Sequence, residues 1–233
     1  MQPRVAGILL AAGEGSRLGQ PKALVEIVGQ RLVDRGLLML RAGGADPVVV
    51  VTGAAPVDVP GALVVHNPAW ATGMGSSLMA GLSALGALPP GECSAAVIAL
   101  ADQPLVSPEC VKRLIASHRD DANPASGSAG DGGVGSPAGD VGSGANGRPA
   151  TGGASIAVAT YGGRPRNPVL IAREHWAEVL TMARGDAGAR PFLRAHPDLV
   201  TLVECGDTGR PDDIDTPEDL ARVANVVAHW DMA

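Results

Sequence analysis

Short, nearly continuous apolar runs recur along this chain, spaced so that a helix fits between one run and the next. Val5–Leu10, Pro47–Thr52, Ala62–His66, Ala95–Leu100 and Ile156–Thr160 are each rich in Val, Ile, Leu or Ala. A strand with one wet face alternates apolar and polar residues. Runs without that alternation suit strands covered on both faces, as in parallel sheets. Helical patterns lie between them. Leu32, Leu37, Leu38 and Leu40 predict one broad apolar face after Gln30, and Leu78, Leu82 and Leu85 repeat at i, i+4, i+7. Ser107-Pro108-Glu109 and Thr216-Pro217-Glu218-Asp219 read as helix starts, with a capping hydroxyl, a first-turn proline and acidic residues behind it. The alternation predicts an α/β fold: a single doubly wound, mostly parallel sheet with ligands at the carboxyl ends of its strands.

The composition fits one domain over residues 1–233, with 45% hydrophobic residues to build its core. Aromatic residues are scarce: Trp70, Tyr161, Trp176, Phe192 and Trp230. They offer no stacking platform for single-stranded nucleic acid, and the net charge of -6 opposes a phosphate backbone. No nucleic-acid partner is expected. The apolar runs are too short to span a bilayer, so no membrane partner is expected either. Cys93, Cys110 and Cys205 are scattered and form no metal-ligand spacing, which fits a reducing, cytoplasmic compartment. Residues 123–154 break the pattern. Gly, Ala, Ser and Pro dominate, and Val134 and Val141 are the only larger apolar side chains. Such a stretch cannot offset its ordering entropy by burial, so it reads as a flexible Gly-rich insertion within the domain.

The first apolar run empties into Leu10-Ala11-Ala12-Gly13-Glu14-Gly15-Ser16-Arg17-Leu18-Gly19-Gln20-Pro21-Lys22. Glycines let backbone N–H groups approach an anion, Arg17 can fork onto phosphate oxygens, and Lys22 can sit beside them as a point charge. The loop therefore predicts a phosphate site; the plainer alternative is a strand-to-helix turn with two solvated cations. It is not a Walker A loop, because Lys22 follows proline and precedes alanine. It is one residue too long for the dinucleotide fingerprint, and Thr52-Gly53 stands where that fold places an acid after the second strand. A nicotinamide-dependent oxidoreductase is kept as the competing class.

These residues, L-x-A-A-G-x-G-S-R-x-G-x-P-K, resemble the signature of nucleotidyltransferases of GT-A-like, Rossmann-related fold. Four later segments resemble the molybdenum cofactor cytidylyltransferase-like group. They are Asn67-Pro68-Ala69-Trp70 through Gly73-Met74-Gly75-Ser76-Ser77-Leu78, Asp102-Gln103-Pro104, Gly185-Asp186-Ala187-Gly188-Ala189-Arg190, and Asp213-Ile214-Asp215-Thr216-Pro217-Glu218-Asp219-Leu220. One segment departs: where the family has G-x-x-G-H-P, this chain reads Gly163-Arg164-Pro165-Arg166-Asn167-Pro168.

The resemblance implies transfer of a nucleoside monophosphate, CMP from CTP, to a phosphorylated, molybdopterin-type acceptor, with pyrophosphate leaving and the product delivered to a molybdoenzyme. GTP or a sugar-phosphate acceptor is the alternative within the same chemistry. It implies a nucleotide site of Leu10, Ala11, Ala12, Gly13, Gly15, Arg17, Lys22, Thr52, Gly53, Gly73, Ser76 and Ser77. Arg17 would hold the β and γ phosphates and Lys22 the charge growing at the α-phosphate. Asn167 and Arg190 would face the acceptor. Asp102, after a buried strand, and Asp215 are the expected ligands of Mg²⁺, or of Mn²⁺ in its place, with Asp102 also catalytic and Asp213 the alternate ligand. Asp102 as a turn cap and Asp215 as a partner for the following helix end are the alternatives. The small residues Gly73 to Ser77 at the start of the Leu78 helix would leave room for the nucleotide and offer it N–H donors; a plain helix cap by Ser76 or Ser77 is the alternative. Ala12 bears on the base, because guanine-using relatives resemble L-A-G-G and an added methyl there disfavours a purine.

Overall fold

The computed structural model describes residues 4–89, 91–120 and 154–230. The expected insertion at 123–154 lies outside these residues except for Ala154. The elements are β1 (Arg4–Ala11), β2 (Glu26–Ile27), β3 (Gln30–Arg31), α1 (Leu32–Ala42), β4 (Val48–Thr52), β5 (Leu63–His66), α2 (Met74–Gly86), β6 (Cys93–Leu100), α3 (Pro108–Asp120), β7 (Ile156–Tyr161), β8 (Arg164–Ala172), α4 (Trp176–Met182), α5 (Arg190–Ala195), β9 (Val200–Glu204) and α6 (Pro217–Trp230). Seven strands form one sheet in the order β5-β4-β1-β6-β8-β7-β9, and β2 and β3 form a separate hairpin. Neighbouring strands run parallel except β8, which is antiparallel to β6 and β7.

Alternate residues of each central strand feed two cores. Val5, Leu9, Val48 and Val50 pack with Leu37 and Leu40 of α1 and Leu114 of α3. Ile8, Val49, Val51 and Ile98 pack with Leu78, Leu82 and Leu85 of α2 and with Phe192 of α5. A third cluster, including Ile27, Leu105, Ile214, Val223 and Val227, seats α6 against the small hairpin. The sheet is thus covered on both faces, which is why its central strands are almost purely apolar.

Three local readings need correction. The run Ala62–His66 forms β5, but as the sheet edge, with Leu63 and Val64 exposed. Leu38 points to solvent, because α1 buries Leu32, Val33, Gly36, Leu37, Met39 and Leu40 instead. β8 and β9 are strands that the sequence reading did not foresee: β8 opens with Arg-Pro-Arg-Asn-Pro before its short buried run Val169–Ala172, and β9 is a partly exposed edge. Finally, α2 begins at Met74, so Ser76 and Ser77 lie inside its first turn rather than capping it. The two capping expectations hold. Ser107 Oγ accepts the Cys110 N–H at 3.2 Å. At the start of α6, Thr216 Oγ1 accepts the Asp219 N–H at 3.2 Å while an Asp219 carboxylate oxygen accepts the Thr216 N–H at 3.1 Å. Such caps stabilise a helix by about 1 kcal/mol each.

Candidate active site

The carboxyl ends of β1 and β6 lie side by side, with Leu10 paired to Leu100 and the Ala101 N–H on the Leu10 carbonyl at 3.0 Å. Everything that follows is hung from this point. After β1 the chain turns sharply through Gly15, which sits at φ +62°; a Cβ there would lie 2.1 Å from the Gln20 carbonyl oxygen. Only glycine fits such a turn without displacement. The Lys22 N–H then returns to the Gly13 carbonyl at 3.1 Å, which carries the Lys22 side chain back over the strand ends.

The ammonium of Lys22 lies between two carboxylates, 2.7 Å from Asp102 Oδ2 and 2.5 Å from Asp215 Oδ1. Asp102 comes from the end of β6. Asp215 comes from the loop before α6, which is tied to the same place by the Ile214 N–H on the Asp102 carbonyl at 2.9 Å. Burial works against the Lys22 ammonium, but the charge and hydrogen bond of Asp102, and then those of Asp215, prevail and hold its pKa above the usual lysine value. Asp213 lies beside this trio and accepts a hydrogen bond from Gln103 Nε2 at 2.8 Å. Burial pushes its carboxyl pKa up; the Gln103 bond opposes that, and the nearby charges of Asp102 and Asp215 add to it.

Two cavities meet here. The smaller, about 350 Å³, is lined by Leu10, Ala11, Ala12, Gly13, Lys22, Gly73, Ser77 and Asp102, with Glu14, Trp70 and Asp186 among the rest. The larger, about 610 Å³, is lined by Asp102, Gln103, Arg166, Asn167, Arg190, Asp213 and Asp215 among others. Leu10, Met74, Leu100 and Asp102 belong to both. The fold thus gathers most of the expected residues around one point.

The others sit elsewhere. Gly15 shapes the loop without lining either cavity, and Arg17 is exposed, with no ion pair among the described residues. Thr52 is buried, and its carbonyl accepts the Asn67 N–H at 2.8 Å. A Cβ on Gly53 would lie 2.5 Å from Trp70 Cβ and 2.8 Å from Ala12 Cβ, so Gly53 serves packing behind the cavity. The Ser76 hydroxyl is occupied by the carbonyls of Ala69 and Gly73.

Asn67 was not among the expected site residues, yet it organises this corner. It is buried, donates to Ser76 Oγ at 2.8 Å and Ser77 Oγ at 3.0 Å, and accepts the Ala69 N–H at 2.9 Å. It thereby fixes the turn that lets Gly73, at φ +111°, start α2 against Gly185 and Asp186. Asn67 and Asp186 both stand in segments that carry the resemblance, and only the packing assigns them work.

The site also suits a divalent cation. Two hard oxygen donors, Asp102 and Asp215, already converge on one positive centre. No group of three or more His, Cys, Asp or Glu side chains among the described residues could hold a metal ion. Oxygens from a bound phosphate would therefore have to complete the shell, as magnesium sites commonly allow. Among the described residues no helix is long and apolar enough to cross a membrane.

Residues 7–200 match the model of the MobA-like NTP transferase domain. Nicotine blue oxidoreductase of Paenarthrobacter nicotinovorans is 34% identical over 228 residues, covering 95% of this chain and 97% of that protein. Among solved structures, the Mycobacterium sp. strain JC1 homologue of Mycobacterium tuberculosis Rv0371c superposes with a TM-score of 0.71 at 26% identity, covering 99% of this chain and 100% of that one. Rv0371c of M. tuberculosis H37Rv, solved in complex with manganese, has the same fold, with a TM-score of 0.62 at 22% identity over 97% of this chain and 100% of that one. The family match spans most of the sheet and most of the lining of both cavities, with the loop of Asp213 and Asp215 beyond it, and the chain is an enzyme of the MobA-like NTP transferase domain family.

Proposed function

We propose that this protein transfers CMP from CTP to a phosphorylated, molybdopterin-type acceptor in a reaction dependent on Mg²⁺. The observation that carries the reading is the pair of cavities joined at Asp102, with a half-buried ammonium and two carboxylates at the junction. The smaller cavity takes the nucleotide and the larger the acceptor. An acceptor phosphate oxygen attacks the α-phosphorus of CTP; the new P–O bond forms as the bond to the bridging α–β oxygen breaks, and pyrophosphate leaves with that electron pair. The attacking oxygen is already ionised, so no general base is required, and catalysis rests on positioning and charge. Arg17, free of carboxylate partners among the described residues, binds the β and γ phosphates. Lys22 leaves Asp102 and Asp215 to meet the α-phosphate. Those two carboxylates would hold the divalent ion, which when bound supplies charge neutralisation at the phosphate oxygens. The manganese bound by the Rv0371c structure supports a divalent metal in this fold.

Incubation with Mg²⁺, CTP or GTP, and molybdopterin, with pyrophosphate as the readout, tests the proposal. Acceptor-dependent release with CTP is expected. Release with GTP alone would leave the broader nucleotidyl transfer and remove the cytidylyl reading.

A second reading has its own observation: the relative aligned over almost its whole length is an oxidoreductase. A nicotinamide dinucleotide would have to use the glycine loop. That mode of binding rests the pyrophosphate on a helix N-terminus directly after the first strand. Here β1 ends at Ala11 and α1 starts at Leu32, with two 3-10 turns and a hairpin between them, which favours the triphosphate. Oxidation of NADH or NADPH in a dye-reduction assay without pyrophosphate release would reverse this choice.

A further inference from the structure

The hairpin joining β7 to β8 lies outside the roles assigned so far. Its turn, Gly162-Gly163, has both residues at positive φ. Both N–H groups donate to the carboxylate of Glu204, at 3.0 and 3.2 Å, as do the Gly206 N–H at 3.0 Å and Thr160 Oγ1 at 2.7 Å. Four donors on one carboxylate hold its pKa down to about 2. A fixed anion therefore clamps this turn to the end of β9.

Immediately beyond the turn the two strands fall out of step. Val158 pairs with Val169 and Thr160 with Pro165, so β7 advances two residues while β8 advances four. The excess is a bulge at Arg166, Asn167 and Pro168, where this chain departs from the family pattern. Bulges re-aim side chains beside active sites. Arg166 and Asn167 line the larger cavity, as does Arg190 from the start of α5. Among the described residues neither Arg166 nor Arg190 pairs with a carboxylate, and Arg166 donates only to the Pro165 carbonyl. The carboxylates of that cavity are engaged elsewhere: Asp102 and Asp215 on Lys22, Asp213 on Gln103. Two uncommitted guanidiniums in a shared cavity are suited to forked binding of an anion.

We propose that Arg166 and Arg190 form an anion-reading subsite at the acceptor end of the cavity, with Glu204 as the positioning residue that sets the hairpin. The acceptor then presents a further anionic group to this pair besides the oxygen that attacks. This rests on the larger cavity being the acceptor site.

The test uses the full chain saturated with CTP and Mg²⁺, so that Arg17 and Lys22 are engaged. Inorganic phosphate is titrated in while the side-chain N–H signals of ¹⁵N-labelled arginine are followed by NMR, with Arg166→Lys and Arg190→Lys used for assignment. Both signals should move on one saturating curve. Glu204→Gln puts a donor NH₂ where N–H groups need an acceptor. It should weaken that curve roughly fivefold, on the order of a 1 kcal/mol change, with CTP affinity unchanged. Arg166→Ala, at an exposed position, guards against misfolding of that variant and should weaken the response of Arg190 by a similar factor. Arginine signals that stay still, or variant curves that overlay the wild type, overturn the subsite. Failure of CTP to bind sinks the nucleotidyl reading instead, and the residue-resolved phosphate curves still judge the arginines.

Discussion

The wall of the smaller cavity comes largely from one stretch, residues 10–14 and Lys22, joined by the start of α2. The wall of the larger one comes from scattered pieces: the end of β6, the bulge of β8, α5 and its preceding turn, and the loop before α6. The first includes the small residues Ala11, Ala12, Gly13, Gly73 and Ser77, and Gly73 at φ +111° admits nothing larger. The second has an apolar floor that includes Leu78, Ile98 and Val169, over which a hairpin and a short helix bring Arg166, Asn167 and Arg190. A stretch of small residues against a tight backbone tolerates little change and reads a common feature such as a polyphosphate. Long side chains on a hairpin can be altered residue by residue, and Arg166 and Asn167 stand where this chain departs from the pattern it resembles.

Substitutions at the two ends should therefore fail differently. Lys22→Ala should give the largest effect. On the proposed reaction it removes a transition-state contact without opening a core cavity, so turnover should fall by about 10²–10³, or roughly 2.7–4 kcal/mol, while the circular-dichroism melt stays cooperative. Near-normal turnover would detach the ammonium from the chemistry. Gly15→Ala comes next. Its Cβ would meet the Gln20 carbonyl at 2.1 Å on a left-handed backbone, so the loop must shift, at a cost of about 1–3 kcal/mol. The loss should appear in nucleotide affinity by calorimetry and leave acceptor KM alone; an equal loss in both would mean that the two ends are not separate.

Ala12→Gly should act more mildly. Ala12 lines the smaller cavity and packs beside Gly53. Removing one methyl should narrow the preference for CTP over GTP by roughly 1 kcal/mol, the lower end of what one methylene gives, in direct competition at fixed Mg²⁺ and acceptor. A wild type without base preference would break the argument at its start.

The smallest effect is a pH dependence at the other end. Glu204 is held from the ordinary 4.5 down to about 2. The folded state thus binds fewer protons there than the unfolded chain. The stabilisation is present above the ordinary value and is lost as the pH falls through about 2. Glu204→Gln should flatten the slope of urea stability against pH between these limits and leave it unchanged above pH 6. An unaltered slope would show that the carboxylate does not bind the hairpin.

How far the sequence alone reached follows the same division. β1, β4, β6 and β7 and both capped helices were readable because each is announced by neighbours in the chain: an apolar run, or a hydroxyl three residues before an N–H. The glycine loop was readable for the same reason. β8 and β9 were not, since their pairing is set by partners distant in sequence and their own residues include Arg, Pro, Asn, Thr and Glu. Asn67 looked like any turn residue until its amide was seen between two serines.

The sequence by itself determined a covered sheet, a glycine-rich loop after its first strand and a set of carboxylates and cations to place around it, because these depend on residue type, local backbone preference and hydrophobic period. Only the tertiary structure decided that Lys22 sits between Asp102 and Asp215, that Thr52 and Gly53 stand behind the pocket rather than in it, and that Glu204 governs a hairpin. Those facts depend on where strands end relative to one another. That is fixed by the register of a sheet whose partners are as far apart in the chain as β1 and β6, and no local pattern encodes it.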